Sequence, residues 1–185
     1  NIAVDRIAVR DIEPQQLPQL FGVVRQTSRL LQRAVRDNLT LGLVPPPSAA
    51  AVRQAITAVK MDALVDGDAG RDLSTVYRQN PPNFSGGEVR RLLIARMLLG
   101  GSPISVLDEP EAGLPSATAE DILEAVVAQA QGRTVIVVTH APHLLRSDYN
   151  VVLQAGRVVD VGPHEQLLAR CGVYRELLAD ALQPS

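Results

Sequence analysis

Apolar residues along this chain follow two rhythms. Phe21–Val24, 104–107 and Thr134–Val138 are short, mostly apolar, β-favouring runs that predict strands. Those at 104–107, between Pro103 and Asp108, and at 134–138 are expected to be buried. A shorter apolar set, Ile2, Val4 and Ile7, predicts one more strand near the start. Elsewhere the spacing is helical. Val35 and Leu39 predict a helix over 34–41, and Val52, Ile56 and Val59 share one face of a helix capped by Ser48. Ser85 and Glu88 form a Ser-x-x-Glu capping box ahead of a helix over 89–99, which Gly100 and Gly101 stop. Ile122, Val126 and Ala130 line one face of a helix over 118–130. Near the end, 150–153 and 158–161 flank Ala155-Gly156 as a hairpin, followed by helices over 165–170 and 173–182. Pro45, Pro46 and Pro47 break the chain, and 66–83 is too poorly patterned to read as anything but loop.

Strand–helix–strand alternation around 104–139 predicts a parallel sheet with right-handed crossovers. The mostly helical stretch from Pro45 to Asn83 interrupts it and reads as an inserted subdomain.

Composition narrows the class. A chain of 185 residues with 46% hydrophobic and 21% charged residues is not intrinsically disordered. Its net charge of −2 argues against nucleic-acid binding driven by overall charge. A lone Cys171 forms no internal disulfide, and a reducing compartment is expected. No apolar run is long enough to cross a bilayer, and residues 1–13 hold no signal-peptide core. The first residue is Asn, so the chain is expected to be a piece of something longer.

Four places carry candidate chemistry. Asp108 and Glu109 stand at the carboxyl end of a strand, where open α/β sheets bind ligands; such a pair suits Mg2+ binding and orientation of an attacking water, although a solvated turn would read the same. In Phe84-Ser85-Gly86-Gly87-Glu88 the glycines permit close backbone approach to a phosphate, and the following helix aims its free N–H groups at the same spot. A capped helix with no ligand is equally compatible. His140 and Gln26 each follow a strand, and neither is informative alone.

Their order is informative. A glutamine past a strand, a helical insert, Ser-Gly-Gly before a helix, a strand ending in Asp-Glu, a helix, and a strand followed by His resemble the ATP-binding cassette (ABC) of transporters over nearly the whole chain. The resemblance implies an α/β fold: a P-loop NTPase-like ABC cassette fragment, with a parallel sheet, flanking helices and an inserted helical subdomain. Residues 1–44 would be the first part of the catalytic core, 45–100 the helical and signature subdomain, and 101–185 the rest of the core.

By the same resemblance Gln26 is the Q-loop glutamine, Phe84–Glu88 the signature, 104–108 the Walker B strand, Glu109 the catalytic glutamate and His140 the switch histidine. Asp108 and Gln26 would hold Mg2+. Ser85, Gly86, Gly87 and Glu88 would contact ATP bound to a second cassette, in a homo- or heterodimer. Glu88 stands where Gln is commoner. The segments Phe21–Gln26, Val35–Leu39, 162–168 and 172–174 look like exporter cassettes. Ser85-Gly86-Gly87-Glu88 with Leu107-Asp108-Glu109-Pro110 looks most like the thiol (cysteine/glutathione) exporters linked to cytochrome bd assembly. The family likeness implies an ATPase at the cytoplasmic face of the inner membrane, coupled to a transmembrane domain. Related cassettes of DNA-repair ATPases carry long coiled-coil insertions, and the stretch from Gln26 to Ser85 has no sustained heptads.

Three departures matter. No Gly-x-x-x-x-Gly-Lys-Ser/Thr loop occurs in these residues, and the only lysine is Lys60; family order puts that loop before Asn1. Pro115 stands where the family's D-loop ends in Asp. Residues 76–83 lack the glutamate-bearing, glycine-rich segment that exporters place before the signature, which puts coupling to membrane helices in doubt. An alternative is therefore a degenerate cassette that lends its signature to an active partner.

Overall fold

The computed structural model describes residues 2–67, 70–129 and 132–181. Ala130 and Leu182, assigned to helices by periodicity, lie outside them. The chain divides into two compact units, Asn1–Val138 and Thr139–Ser185.

The first unit is built on three parallel strands in the order β3 (Phe21–Val24), β4 (Ile104–Asp108) and β5 (Thr134–Val138). Val24 pairs with Leu107, and Leu107 with Val137. Side chains alternate across a strand, so Gly22, Val24, Ser105, Leu107, Val135 and Val137 share one face. On it Val24 and Leu107 are buried. They belong to one core with Leu92, Ile94 and Met97 of α5 (Gly86–Gly100) and Ile122 and Val126 of α6 (Ser116–Gln129). At Gly22 α5 comes close: a Cβ there would lie 3.0 Å from Cγ of Met97.

The other face corrects the sequence expectation of buried strands. Val23, Ile136 and Val138 are each about half exposed, at 49%, 47% and 51%. Of β4 only Leu107 is buried. An apolar run announces a strand buried on both faces, but α5 and α6 cover only one face here.

Helices begin where the caps predict. The Ser48 hydroxyl accepts the Ala51 N–H at the start of α3 (Ala49–Ala58). Ser85 and Glu88 form the reciprocal box at the start of α5, and Gly101 closes it in the left-handed conformation. The predicted helix at 34–41 is α2 (Val35–Thr40). The small elements escape the pattern. A hairpin of two-residue strands, β1 (Ala3–Val4) and β2 (Ile7–Ala8), replaces one early strand, and the one-turn helices α1 (Leu17–Leu20) and α4 (Ala63–Asp66) have no periodic signal. Elements this short carry too few residues for a period to show.

The unpatterned segment is tied down by backbone bonds to the start of α2. Val35 and Arg36 donate to the carbonyls of Thr75 and Leu73, and Tyr77 donates to that of Arg33. Asn38, buried, accepts the Leu31 N–H and donates to the carbonyls of Leu31, Arg33 and Ala34.

In the second unit β6 (Asn150–Gln154) and β7 (Arg157–Gly162) form the expected antiparallel hairpin. Its turn residues Ala155 and Gly156 both have positive φ, as a two-residue turn of this hand requires. Helices α7 (His164–Arg170) and α8 (Gly172–Ala181) come next, and Leu167, Cys171 and Tyr174 pack with Val152.

Leu107→Ala removes a fully buried side chain from the middle strand. It is expected to destabilise the first unit by about 2–5 kcal/mol, read as a lower urea midpoint at unchanged slope.

Candidate active site

Parallel register brings the ends of β3 and β4 to one edge. Two residues past Val24, the Gln26 side-chain N–H donates to Glu109 Oε2 at 2.8 Å. The turn carrying Gln26 is held from both sides. The Arg25 N–H donates to Ser28 Oγ at 2.9 Å, and the Arg25 carbonyl accepts the Ser28 N–H and Nη1 of Arg90 on α5, each at 3.0 Å. Arg90 is only 7% exposed.

Glu109 has φ +46°, left-handed and uncommon for a residue with a side chain. Its N–H still donates to the Val138 carbonyl at 2.8 Å, and its own carbonyl accepts the Ala112 N–H. The chain thus turns sharply off the strand end while its last ladder bond survives. Asp108, paired with Val138, lies on the sheet face opposite α5. The turn then runs through Gly113, also left-handed, to Pro115, whose carbonyl accepts the Ala119 N–H as α6 begins.

The signature segment meets this turn. A Cβ on Gly87 would lie 2.9 Å from the Gly113 carbonyl oxygen and 3.1 Å from Leu114 Cδ2, whereas a Cβ on Gly86 would meet nothing within 4 Å. The two glycines therefore have separate reasons. Gly87 lets the start of α5 touch the turn after Glu109, and Gly86 leaves open space where a ligand can approach.

At the same helix start, the Ser85 N–H donates to Glu88 Oε2 at 2.7 Å and the Glu88 N–H donates to Ser85 Oγ at 3.2 Å. Arg71 Nη2 bonds Glu88 Oε1 at 2.7 Å. Burial pushes the Glu88 carboxyl up, but the bonds from Arg71 and Ser85 outweigh it and hold the group below its ordinary value.

Gln26, Glu109 and the Ser85–Glu88 turn thus belong to one cluster of contacts in the first unit. His140 opens the second unit, just past Thr139, whose hydroxyl accepts the Ala141 N–H at 2.8 Å. A cavity of about 480 Å³ lined by Phe21, Gly22, Arg29, Leu43 and Arg96 includes none of the candidate residues.

Sequence reasoning misses two arginines. Arg90 has a signal: it occupies the position that Leu93, Ile94 and Met97 continue at helical spacing, a charge on an apolar face. Arg71 has none, lying in the unpatterned segment.

Among the described residues no group of three or more His, Cys, Asp or Glu could enclose a metal ion. Asp108 ends β4, partly exposed, and Gln26 lies exposed two residues past β3, so the two offer a carboxylate and an amide oxygen as donor types. That donor set suits Mg2+, which keeps waters and takes substrate phosphate oxygens rather than a full protein cage.

Gly87→Ala forces a backbone carbonyl to move and is expected to destabilise by about 1–3 kcal/mol. Gly86→Ala should stay within about 0.5 kcal/mol of the parent in the same urea titration. The Glu88 carboxyl is lowered in the folded state, so its stabilisation is complete above its ordinary value of 4.5 and is lost as pH falls through the lower folded value. The melting-temperature difference between the parent and Glu88→Gln should therefore narrow from pH 7 to about pH 3.

Comparison with known proteins identifies the family and the fold. The family model described as ABC transporter matches residues 1–112. The glutathione/L-cysteine transport system ATP-binding/permease protein CydC of Escherichia coli (strain K12) is 36% identical over 175 residues, 94% of this chain and 30% of that protein. The ATP-dependent lipid A-core flippase of Syntrophus aciditrophicus (strain SB) is 34% identical over 178 residues, 96% of this chain and 29% of its own length. The structure of a bacterial Atm1-family ABC exporter with ATP bound superposes with a TM-score of 0.86 at 29% identity, covering 99% of this chain and 32% of that one. This chain thus spans about 30% of the length of the curated relatives it matches. It has the ABC-cassette fold and belongs to the ABC transporter family.

Proposed function

We propose that this chain is part of the ATP-hydrolysing cassette of an exporter, working as one half of a head-to-tail pair with a second cassette. The observation that carries this reading is the 2.8 Å bond between Gln26 and Glu109 at the ends of adjacent parallel strands, with the signature start packed on the turn beyond Glu109. The thiol-exporter resemblance and the similarity to the glutathione/L-cysteine system point to small thiols as cargo.

Glu109 acts as general base, accepting a proton from the water that attacks the γ-phosphate. Gln26 orients that carboxylate through Nε2. Asp108 and Gln26 would hold Mg2+ through a carboxylate and an amide oxygen, and the ion would supply neutralisation of charge on the phosphates. His140 donates to the γ-phosphate. Ser85 and the N–H groups at Gly86 and Gly87 receive the partner's ATP at the positive end of α5. Residues 45–100, carrying the signature, form the subdomain that closes on that nucleotide.

A site shared between two protomers is open surface in either one, which fits a cavity lying elsewhere. The signature also needs a P-loop opposite it, supplied by the second cassette. The protein is expected at the cytoplasmic face of the cell membrane, joined to a transmembrane domain. No helix among the described residues is long and apolar enough to cross a membrane.

A second reading rests on Pro115. Where the D-loop would end in a carboxylate that couples the two sites, this chain has a ring without an N–H, at the start of α6. On this reading the cassette serves an active partner and turns over no ATP at its own acids.

In the protein expressed from its own gene, Glu109→Gln is expected to retain ATP but lose turnover by about 10²–10⁴-fold. Turnover surviving that substitution removes Glu109 from the base role and favours the second reading. The 185 residues alone, which contain no P-loop, should show no Glu109-dependent phosphate release in a malachite-green assay.

A further inference from the structure

We propose that Arg71 is a positioning residue for the signature turn, cancelling the charge of Glu88 where that turn receives a phosphate and bracing it on three sides. The proposal rests on the nucleotide reading above.

Arg71 Nη1 donates to the Asn83 carbonyl at 2.8 Å, just before the signature. Its guanidinium carbon stands 4.7 Å from the centroid of the Phe84 ring. Nη2 reaches Glu88 Oε1 at 2.7 Å, with the two side chains 33% and 17% exposed. One planar group thus touches the residue before the turn, its first residue and its last. A fork of fixed N–H directions lying over a ring can do this; an ammonium cannot.

Charge explains why the turn needs it. A phosphate arriving at the start of α5 is drawn by unpaired N–H groups and the helix dipole. A carboxylate at the third helical position draws on the same field and repels the same anion. Glu88 spends Oε2 on the Ser85 N–H and Oε1 on Arg71, so both oxygens are engaged and its charge is matched. A neutral glutamine would need no such partner. A cavity of about 110 Å³ is lined by Lys60 and Arg91 as well as Arg71 and Glu88, and Lys60 is itself paired with Asp121 at 3.4 Å. Arg91 Nη1 is held by the Lys60 carbonyl at 2.8 Å, leaving Arg71 as the cation bonded to the turn.

The experiment is a double-mutant cycle on the assembled transporter: parent, Arg71→Met, Glu88→Gln and the pair together, with KM for ATP and kcat measured for each. Arg71→Met should raise KM about tenfold, the effect of one uncompensated like charge, with kcat within about twofold. In the Glu88→Gln background the same Arg71 change should move KM by less than about twofold, because no charge remains to cancel. A brace without an electrostatic role would lose the same in both backgrounds, and that result overturns the proposal. So does a parent-like KM in Arg71→Met. If Arg71→Met fails to accumulate, Arg71→Lys keeps the charge without the fork. Its KM should stay within about threefold of the parent, and a tenfold rise overturns charge cancellation. A parent that neither binds nor hydrolyses ATP sinks the nucleotide reading, and the role of Arg71 with it.

Discussion

Register in the three-stranded parallel sheet is the constraint on which the rest depends. Because Val24 sits beside Leu107 and Leu107 beside Val137, the strands end together, and the residues just beyond them emerge on one edge. A slip of one residue would send Leu107 out of the core and Asp108 into it. Burial of Val24 and Leu107 therefore does more than stabilise: it decides that an acid, not an apolar side chain, is presented at the strand end.

The same packing fixes the signature. Gly22 lets Met97 approach the sheet, which sets how close α5 lies to β3. At its far end α5 meets the turn after Glu109 through Gly87, and Arg90 along its length holds the Arg25 carbonyl beside Gln26. One rigid helix is thus bonded to the glutamine turn and packed on the acid turn while carrying the Ser85 start. On the proposed reading those features serve two different nucleotides, one bound by each protomer. A displacement of α5 by the partner's ATP would then pull on Gln26 and, through it, on Glu109. A guanidinium that loses its acceptor in the interior costs about 1–3 kcal/mol, which favours the helix and the turn moving together.

What was legible depends on how local its cause is. Ser48, the Ser85–Glu88 box, Gly101 and the Ala155-Gly156 turn announce themselves within four residues, because the groups that pair are neighbours in the chain. The three core strands were legible as apolar runs. Their exposure was not, since it depends on which helices cover which face, and Ile136 and Val138 read the same either way. The acid pair, the glycines and the glutamine were legible as residues in an order, but their contacts were not. The Gln26–Glu109 bond spans 83 positions, the Arg90–Arg25 bond 65. Arg71 reaches its three contacts from a stretch with no period, held to α2 by backbone bonds that any sequence can make. Function in such a segment is invisible until the fold brings it to its partners.

Glu109 adds a final argument from strain. A side chain at φ +46° costs about 1–2 kcal/mol relative to glycine, which adopts that region freely. The turn needs the backbone conformation, since it keeps the bond to the Val138 carbonyl while leaving the strand. Glycine would meet that need at lower cost. A glutamate held there by a backbone bond on one side and the Gln26 amide on the other is a strained residue over-determined by its surroundings. The backbone strain and the side-chain bond are separate observations, and on the proposed reading the carboxylate's chemistry accounts for both.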